Sequence, residues 1–175
     1  MTGSIQSDYY FGVPAANLEV SWNLYAREHY FSIPGYKVGS YDNRWMLPSE
    51  LEEDESELGR FIFSGKGSTD QLGSLEIKIP PSVIGSIDMV DTQNITLEAT
   101  ITDASGFSVS QRDSILMHPE TYYIGVKPNA YFSPADTPIE YDLLTVDWAG
   151  SPESGKTILA TFSKIEGQVV GFEGI

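Results

Sequence analysis

Ile95-Thr96-Leu97-Glu98-Ala99-Thr100-Ile101-Thr102-Asp103-Ala104-Ser105-Gly106-Phe107-Ser108-Val109 is the stretch that decides the fold. From Ile95 to Ile101 apolar residues occupy every second position, the period of a strand buried on one face. The intervening β-branched Thr residues suit the solvated face. The run then meets Asp103-Ala104-Ser105-Gly106. Asp at the first position of a type I turn accepts a hydrogen bond from the backbone two residues on. Gly at the fourth takes the left-handed conformation that returns the chain antiparallel. Phe107-Ser108-Val109 opens the return strand, and Ser114-Ile115-Leu116-Met117 ends it against the core, so the spacing predicts a hairpin of 94–102 with 107–117.

The same punctuation recurs as Asp70-Gln71-Leu72-Gly73 and Asp147-Trp148-Ala149-Gly150, predicting three hairpins. Alternation in Leu18-Glu19-Val20-Ser21-Trp22-Asn23-Leu24-Tyr25 and in Leu75-Glu76-Ile77-Lys78-Ile79 predicts two further strands, with Trp22 in the core. Tyr122-Tyr123-Ile124-Gly125-Val126 leads into Lys127-Pro128 and then Pro134 and Pro138; because proline has no ladder donor, this stretch is expected to be an edge strand interrupted by a loop. Ile139 to Val146 and Thr157 to Phe162 are expected to pair around Gly150-Ser151-Pro152. The only helix expected is a short acidic one near 48–58, where Pro48-Ser49-Glu50 resembles a helix start. The fold class is all-β: an antiparallel β-sandwich of immunoglobulin or fibronectin-III type.

A chain of 175 residues fits one large or two small β domains. An internal repeat favours two. Gly12-Val13-Pro14, followed by Leu18, Val20, Trp22 and Leu24, resembles Gly150-Ser151-Pro152, followed by Ile158, Ala160 and Phe162. The expected division is one sandwich over 1–118, lacking its first strand and carrying a long insertion at 26–60, and a partial second sandwich over 119–175. The missing strand would leave an open sheet edge, which invites strand addition from a second copy.

Composition removes several chemistries. The formal charge of −15, from 25 Asp+Glu against 10 Lys+Arg, opposes a nucleic-acid partner, whose affinity comes from neutralising phosphates. No apolar run approaches the roughly 20 residues that span a bilayer, and Met1-Thr2-Gly3-Ser4 opens no leader. With no cysteine, disulfides, thiolate metal sites and cysteine nucleophiles are all excluded. His29 and His118, the two histidines, are too few for a histidine metal site or a Ser-His-Asp triad and are expected in loops or between domains. The acids from Glu50 to Glu57 make a solvated face without the ligand spacing of a calcium loop. Asn94-Ile95-Thr96 matches a glycosylation sequon but begins a strand.

One motif tempts. Gly150-Ser151-Pro152-Glu153-Ser154-Gly155-Lys156-Thr157 spells G-x-x-x-x-G-K-[ST], the phosphate-cradling loop. That chemistry needs successive backbone N–H groups aimed at phosphate oxygens ahead of a helix. Pro152 deletes one donor, Glu153 adds a negative charge, and no αβα sheet surrounds the segment. The residues are expected to form a turn. No catalytic, cofactor or metal-binding residue is expected; the candidates for contact with a partner or a neighbouring domain are Trp45, Trp148, Tyr36 and Tyr41.

Thr100-Ile101-Thr102-Asp103-Ala104-Ser105-Gly106-Phe107-Ser108-Val109-Ser110, with His118-Pro119-x-x-Tyr122-Tyr123-Ile124-Gly125 after it, resembles the macroglobulin-type domains of bacterial alpha-2-macroglobulins. Tyr9-Tyr10-Phe11-Gly12-Val13-Pro14-Ala15-Ala16-Asn17 and Gly67-Ser68-Thr69-Asp70-x-x-Gly73 resemble the same family's repeated turns. The likeness spans 1–25 and 60–165. It implies a protease trap of the periplasm, cell envelope or exterior, in which a cut bait region lets an array of sandwiches rearrange and a Cys–Gln thioester capture the protease. A chain without cysteine cannot hold that thioester. The resemblance therefore implies non-catalytic scaffold, with neighbouring domains as direct partners and proteases as partners of the whole molecule. The alternatives are a surface adhesin or carbohydrate-binding sandwich using Trp45 and nearby tyrosines, or nucleotide binding at 150–157.

Overall fold

The computed structural model describes residues 1–39, 57–87 and 89–162. Among them, three antiparallel sheets account for the strands. The largest is four-stranded, in the order β4 (Arg60–Ser68), β2 (Glu19–Glu28), β6 (Gln93–Thr102), β7 (Ser108–Met117). Facing it is the pair β1 (Thr2–Gln6) and β5 (Ser74–Lys78); the third sheet is β3 (Lys37–Val38), β8 (Tyr123–Pro128) and β9 (Tyr141–Val146). One helical turn, α1 (Pro81–Ile84), with proline in its first turn, links β5 to β6. The architecture is the antiparallel all-β one that the alternation implies.

The core follows from period two. Val20, Trp22, Leu24 and Ala26 are buried at alternate positions of β2. Three of them join Ile95 and Ala99 of β6, Ile77 of β5, and Ile79 and Ile87 of the connection in one cluster. Trp22 fits because both its cross-strand neighbours are small: Gly65 on β4 and Ala99 on β6. Its indole covers Gly65 so closely that a Cβ there would lie 2.4 Å from Trp22 Cζ2, and Phe63 flanks it at 5.7 Å between ring centres. Aromatic bulk next to glycine is thus a packing pair, each half requiring the other.

All three Asp-x-x-Gly segments form one and the same turn. The Gly N–H donates to the Asp carbonyl at 3.1, 3.0 and 3.0 Å for the turns at 70, 103 and 147. Each Asp Oδ1 also accepts the N–H groups two and four residues on, at 2.8–2.9 Å. The glycines have φ of +76°, +83° and +81°, where a side chain is strained. A fourth copy lacks the aspartate: Gly12 (φ +80°) donates to the Tyr9 carbonyl at 2.7 Å and Tyr9 N–H to Val13 at 2.8 Å. Bridges Asp8 with Pro14 and Val146 with Pro152 close the first and last turns alike, so the Gly-x-Pro repeat is a repeat of turn geometry.

Several expectations need correction. Only the Asp103 turn makes a full hairpin, pairing Gln93–Thr102 with Ser108–Met117. The Asp70 turn sends the chain across to the other layer, since β4 pairs with β2 and β5 with β1. The Asp147 turn yields a single bridge, and 157–162 forms no strand, because β9 takes β8 as its partner and Pro152 and Gly155 interrupt the segment after the turn. β8 is the central strand of its sheet; Pro128 ends it, and the prolines of 131–138 fall in the loop to β9. Thr2–Gln6, for which no strand is expected, forms β1 against β5. Residues 26–28, 37–38 and 60 of the expected insertion belong to β2, β3 and β4. Of the residues ending β7, Met117 packs on the core while Ile115 and Leu116 are exposed. The expected acidic helix falls on 48–58, almost all of it outside the described residues.

Candidate functional site

Where the four-stranded sheet meets the β3-β8-β9 sheet, side chains from five parts of the chain converge. β2 ends at Glu28, and the next N–H, of His29, donates to the Thr92 carbonyl at 2.8 Å. This hydrogen bond holds Thr92 at the foot of β6, 1% exposed. β7 ends at Met117, so His118 arrives beside Thr92; five residues later Tyr123, itself buried, begins β8.

Three polar atoms meet there. Tyr123 Oη lies 2.6 Å from His118 Nδ1, Thr92 Oγ1 lies 3.2 Å from the same nitrogen, and the two hydroxyls are in direct hydrogen-bond contact. Aromatic rings enclose the group. Phe31 stacks on Tyr123 at 4.2 Å and 14°, and Trp148 lies 5.5 Å from the His118 ring. Burial holds the His118 pKa below its usual value, with the nearby charge site of His29 adding to the effect. A cavity of about 20 Å³ adjoins, lined in part by Val38, Gly39 and Asp91.

The four contact candidates fare differently. Trp148 is 59% exposed at the tip of the Asp147 turn, with one edge against His118. Tyr36 lies on Gly125 of β8, 3.1 Å from where a Cβ would stand, with the Lys127 ammonium 5.9 Å from its ring centre. Trp45 and Tyr41 lie outside the described residues. Sequence reasoning misses Thr92, Phe31 and Tyr123 as site residues. No local pattern marks them, because strand pairing alone brings them together; His118 is legible only as a residue between domains.

The segment that spells a phosphate loop is occupied by its own turn. Gly150 N–H donates to Asp147 O, Ser151 N–H to Asp147 Oδ1, and Glu153 N–H to the Thr145 carbonyl at 2.8 Å. Pro152 has no N–H to give. Lys156 pairs with Glu153 at 3.3 Å and lies 4.6 Å over the Tyr122 ring. In place of a helix N-terminus, 157–162 continues without regular structure. Among the described residues no three His, Asp or Glu side chains converge as metal ligands, and no helix is long and apolar enough to cross a membrane.

No protein-family model matches the sequence, and no curated protein sequence matches it. Solved structures do. The chain is similar to trypsin-activated alpha-2-macroglobulin from Escherichia coli, with a TM-score of 0.55 and 16% identity over 85% of this chain and 11% of that one. It is similar to Salmonella alpha-2-macroglobulin reacted with methylamine, with a TM-score of 0.56 and 17% identity over 87% of this chain and 10% of that one. The native conformation of the E. coli protein gives a TM-score of 0.55 and 16% identity over 85% of this chain and 10% of that one. The resemblance carried by the turns around Asp103 and Tyr9 therefore holds at the level of the fold: the chain has the macroglobulin-type β-sandwich fold of bacterial alpha-2-macroglobulins and spans about a tenth of the length of the structures it matches.

Proposed function

We propose that the chain is non-catalytic scaffold of a bacterial alpha-2-macroglobulin-like protease trap, working in the periplasm, at the cell envelope or outside the cell. In this reading 1–118 and 119–175 are successive modules. Their direct partners are neighbouring domains of the parent molecule, and proteases are partners of the whole. The observation that carries it is the fold likeness over 85% of the chain, joined to a turn repeated four times whose Gly N–H is spent on the turn's own first carbonyl. β7 is an edge of the four-stranded sheet among the described residues, which keeps strand addition from a second copy within the same proposal.

The test is size-selective inhibition by the full-length gene product. Trypsin mixed with it is expected to keep cutting a small chromogenic peptide while a large protein substrate is spared; equal loss of both activities, or of neither, would contradict the trap. For the chain itself, millimolar Mg-ATP is expected to give no saturable binding, and binding abolished by Lys156→Ala would restore the nucleotide reading.

A second reading, a surface-binding sandwich, draws on one end of the molecule. Tyr10 is 100% exposed, Phe11 61%, and Leu72 and Phe107 stand exposed on turns at that end. Aromatic rings on rigid turns suit stacking against a glycan. A glycan-array signal lost on Tyr10→Ala would favour this reading.

A further inference from the structure

The Thr92–His118–Tyr123 group joins two sheets. Thr92 immediately precedes β6, His118 immediately follows β7, and Tyr123 starts β8. Their hydrogen bonds therefore cross from the four-stranded sheet to the β3-β8-β9 sheet, as does the stacking of Phe31 on Tyr123.

Counting protons gives this junction a direction. With His118 neutral and its proton on Nε2, Nδ1 accepts the Tyr123 O–H, and the Tyr123 oxygen in turn accepts the Thr92 O–H. Every hydrogen has an acceptor. If Nδ1 takes a proton, it must donate to the Tyr123 oxygen. Tyr123 must then turn its hydrogen toward Thr92 Oγ1, and the Thr92 hydrogen loses its acceptor. Thr92 is 1% exposed and lines the adjoining cavity, toward which the displaced hydrogen can turn. At about 20 Å³, that cavity has room for about one water. The imidazolium would also stand in a partly desolvated site.

The other titratable groups around it do not reverse this. His29, at the end of β2, repels a second cation. The Asp91 carboxylate, at the approach to β6, stands where a Cβ on Gly39 would come within 2.8 Å, and so points to the β3 side. Asp147, on the Trp148 turn, spends Oδ1 on two backbone N–H groups. Glu28 takes the Tyr30 hydroxyl, and Glu120 is exposed.

We propose that Thr92, His118 and Tyr123 form a proton-operated latch, which holds the β3-β8-β9 sheet against the four-stranded sheet while His118 is neutral and loosens when it is protonated. The sign is fixed by linkage. A histidine whose pKa is depressed on folding stabilises the closed junction above its unfolded value of about 6.5, and the contribution is lost as pH falls below it toward the folded value. The junction is thus tight at neutral pH and loosened in mild acid.

Hydrogen exchange on the whole chain, corrected for intrinsic rates, tests this. Between about pH 7.5 and about pH 5.5, amides of β8 are expected to lose protection about threefold or more, while those of the β2–β6 ladder do not change. His118→Gln keeps an acceptor for Tyr123 and cannot titrate, so its β8 protection is expected to be flat with pH; His29→Gln is expected to retain the dependence. Imidazole NMR of the unaltered protein gives a second readout that needs no variant: His118 should titrate below the ordinary histidine value of about 6.5. A flat β8 profile in the unaltered protein, a dependence that survives His118→Gln, or a His118 titration at or above about 6.5 overturns the latch.

Discussion

The Asp103 and Asp147 turns have the same hydrogen bonds and glycine φ values within 2° of each other, yet one opens a ten-residue ladder and the other a single bridge. The difference lies in the residues beyond the glycine. After Gly106 come Phe107-Ser108-Val109-Ser110, all able to donate along a strand, and β6 has a free edge to receive them. After Gly150 come Ser151-Pro152-Glu153-Ser154-Gly155, and proline and glycine end the pairing before it can propagate. The turn decides that the chain reverses; the next few residues decide whether a strand forms. The Tyr9 turn extends the lesson, because it makes the same reversal with no carboxylate at all.

The largest effect separating the two regions is expected at Leu24, wholly buried in the four-stranded sheet's core. Leu24→Ala should cost about 2–5 kcal/mol in a urea unfolding curve. Leu143→Ala, in the half-exposed face of β9, should cost well under half as much, and equal losses would erase the contrast between the sheets. Next is Gly65→Ala. Its Cβ would come within 2.4 Å of the Trp22 indole, and a loss of about 1–3 kcal/mol is expected, with Trp22→Leu in the same chain recovering part of it.

Alanine at Gly106 and at Gly150 meets no neighbour within 4 Å, so only the left-handed backbone is penalised, by about 1 kcal/mol at each turn. At 106 that loss should lower global stability. At 150 it should show only as faster local exchange around Val146 to Glu153. Smallest is a pH effect at Asp103. The Ser105 hydroxyl first, and then the Phe107 N–H, hold its carboxyl below the ordinary 3.8. This contribution is present above about pH 4 and is lost as pH falls through the lower folded value. Ser105→Ala should narrow the difference between urea midpoints measured at about pH 6 and about pH 2.5.

Legibility in the sequence divides along the same line. β2, β5, β6 and β7 announce themselves because each repeats apolar residues at period two, or comes after a turn with an aspartate and a glycine. β1, whose sequence is Thr2-Gly3-Ser4-Ile5-Gln6, carries no such pattern and is a strand because β5 offers it an edge. β3 has two residues and exists only against Val126 and Gly125. β8 reads as an edge when its prolines are counted, but Pro128 is its last residue, where no further donor is required. The junction is harder still to read. A threonine before one strand and a tyrosine opening another mean nothing alone, and the partnership of Thr92 with Tyr123 exists only once β6 and β8 are placed. The phosphate-loop spelling misleads for the converse reason: its letters are right, but the N–H groups of Gly150, Ser151 and Glu153 are already engaged, Pro152 has none, and no helix follows.

Residue-resolved hydrogen exchange over the two Asp-x-x-Gly reversals tests the central claim most directly, that identical turns reverse the chain and the residues beyond them alone build the ladder. Protection is expected for the inward-facing amides along Gln93–Thr102 and Ser108–Met117, and beyond Asp147 only for the turn amides and Glu153. Sustained protection from Ser154 through Phe162, or an unprotected β6–β7 pair, would contradict it.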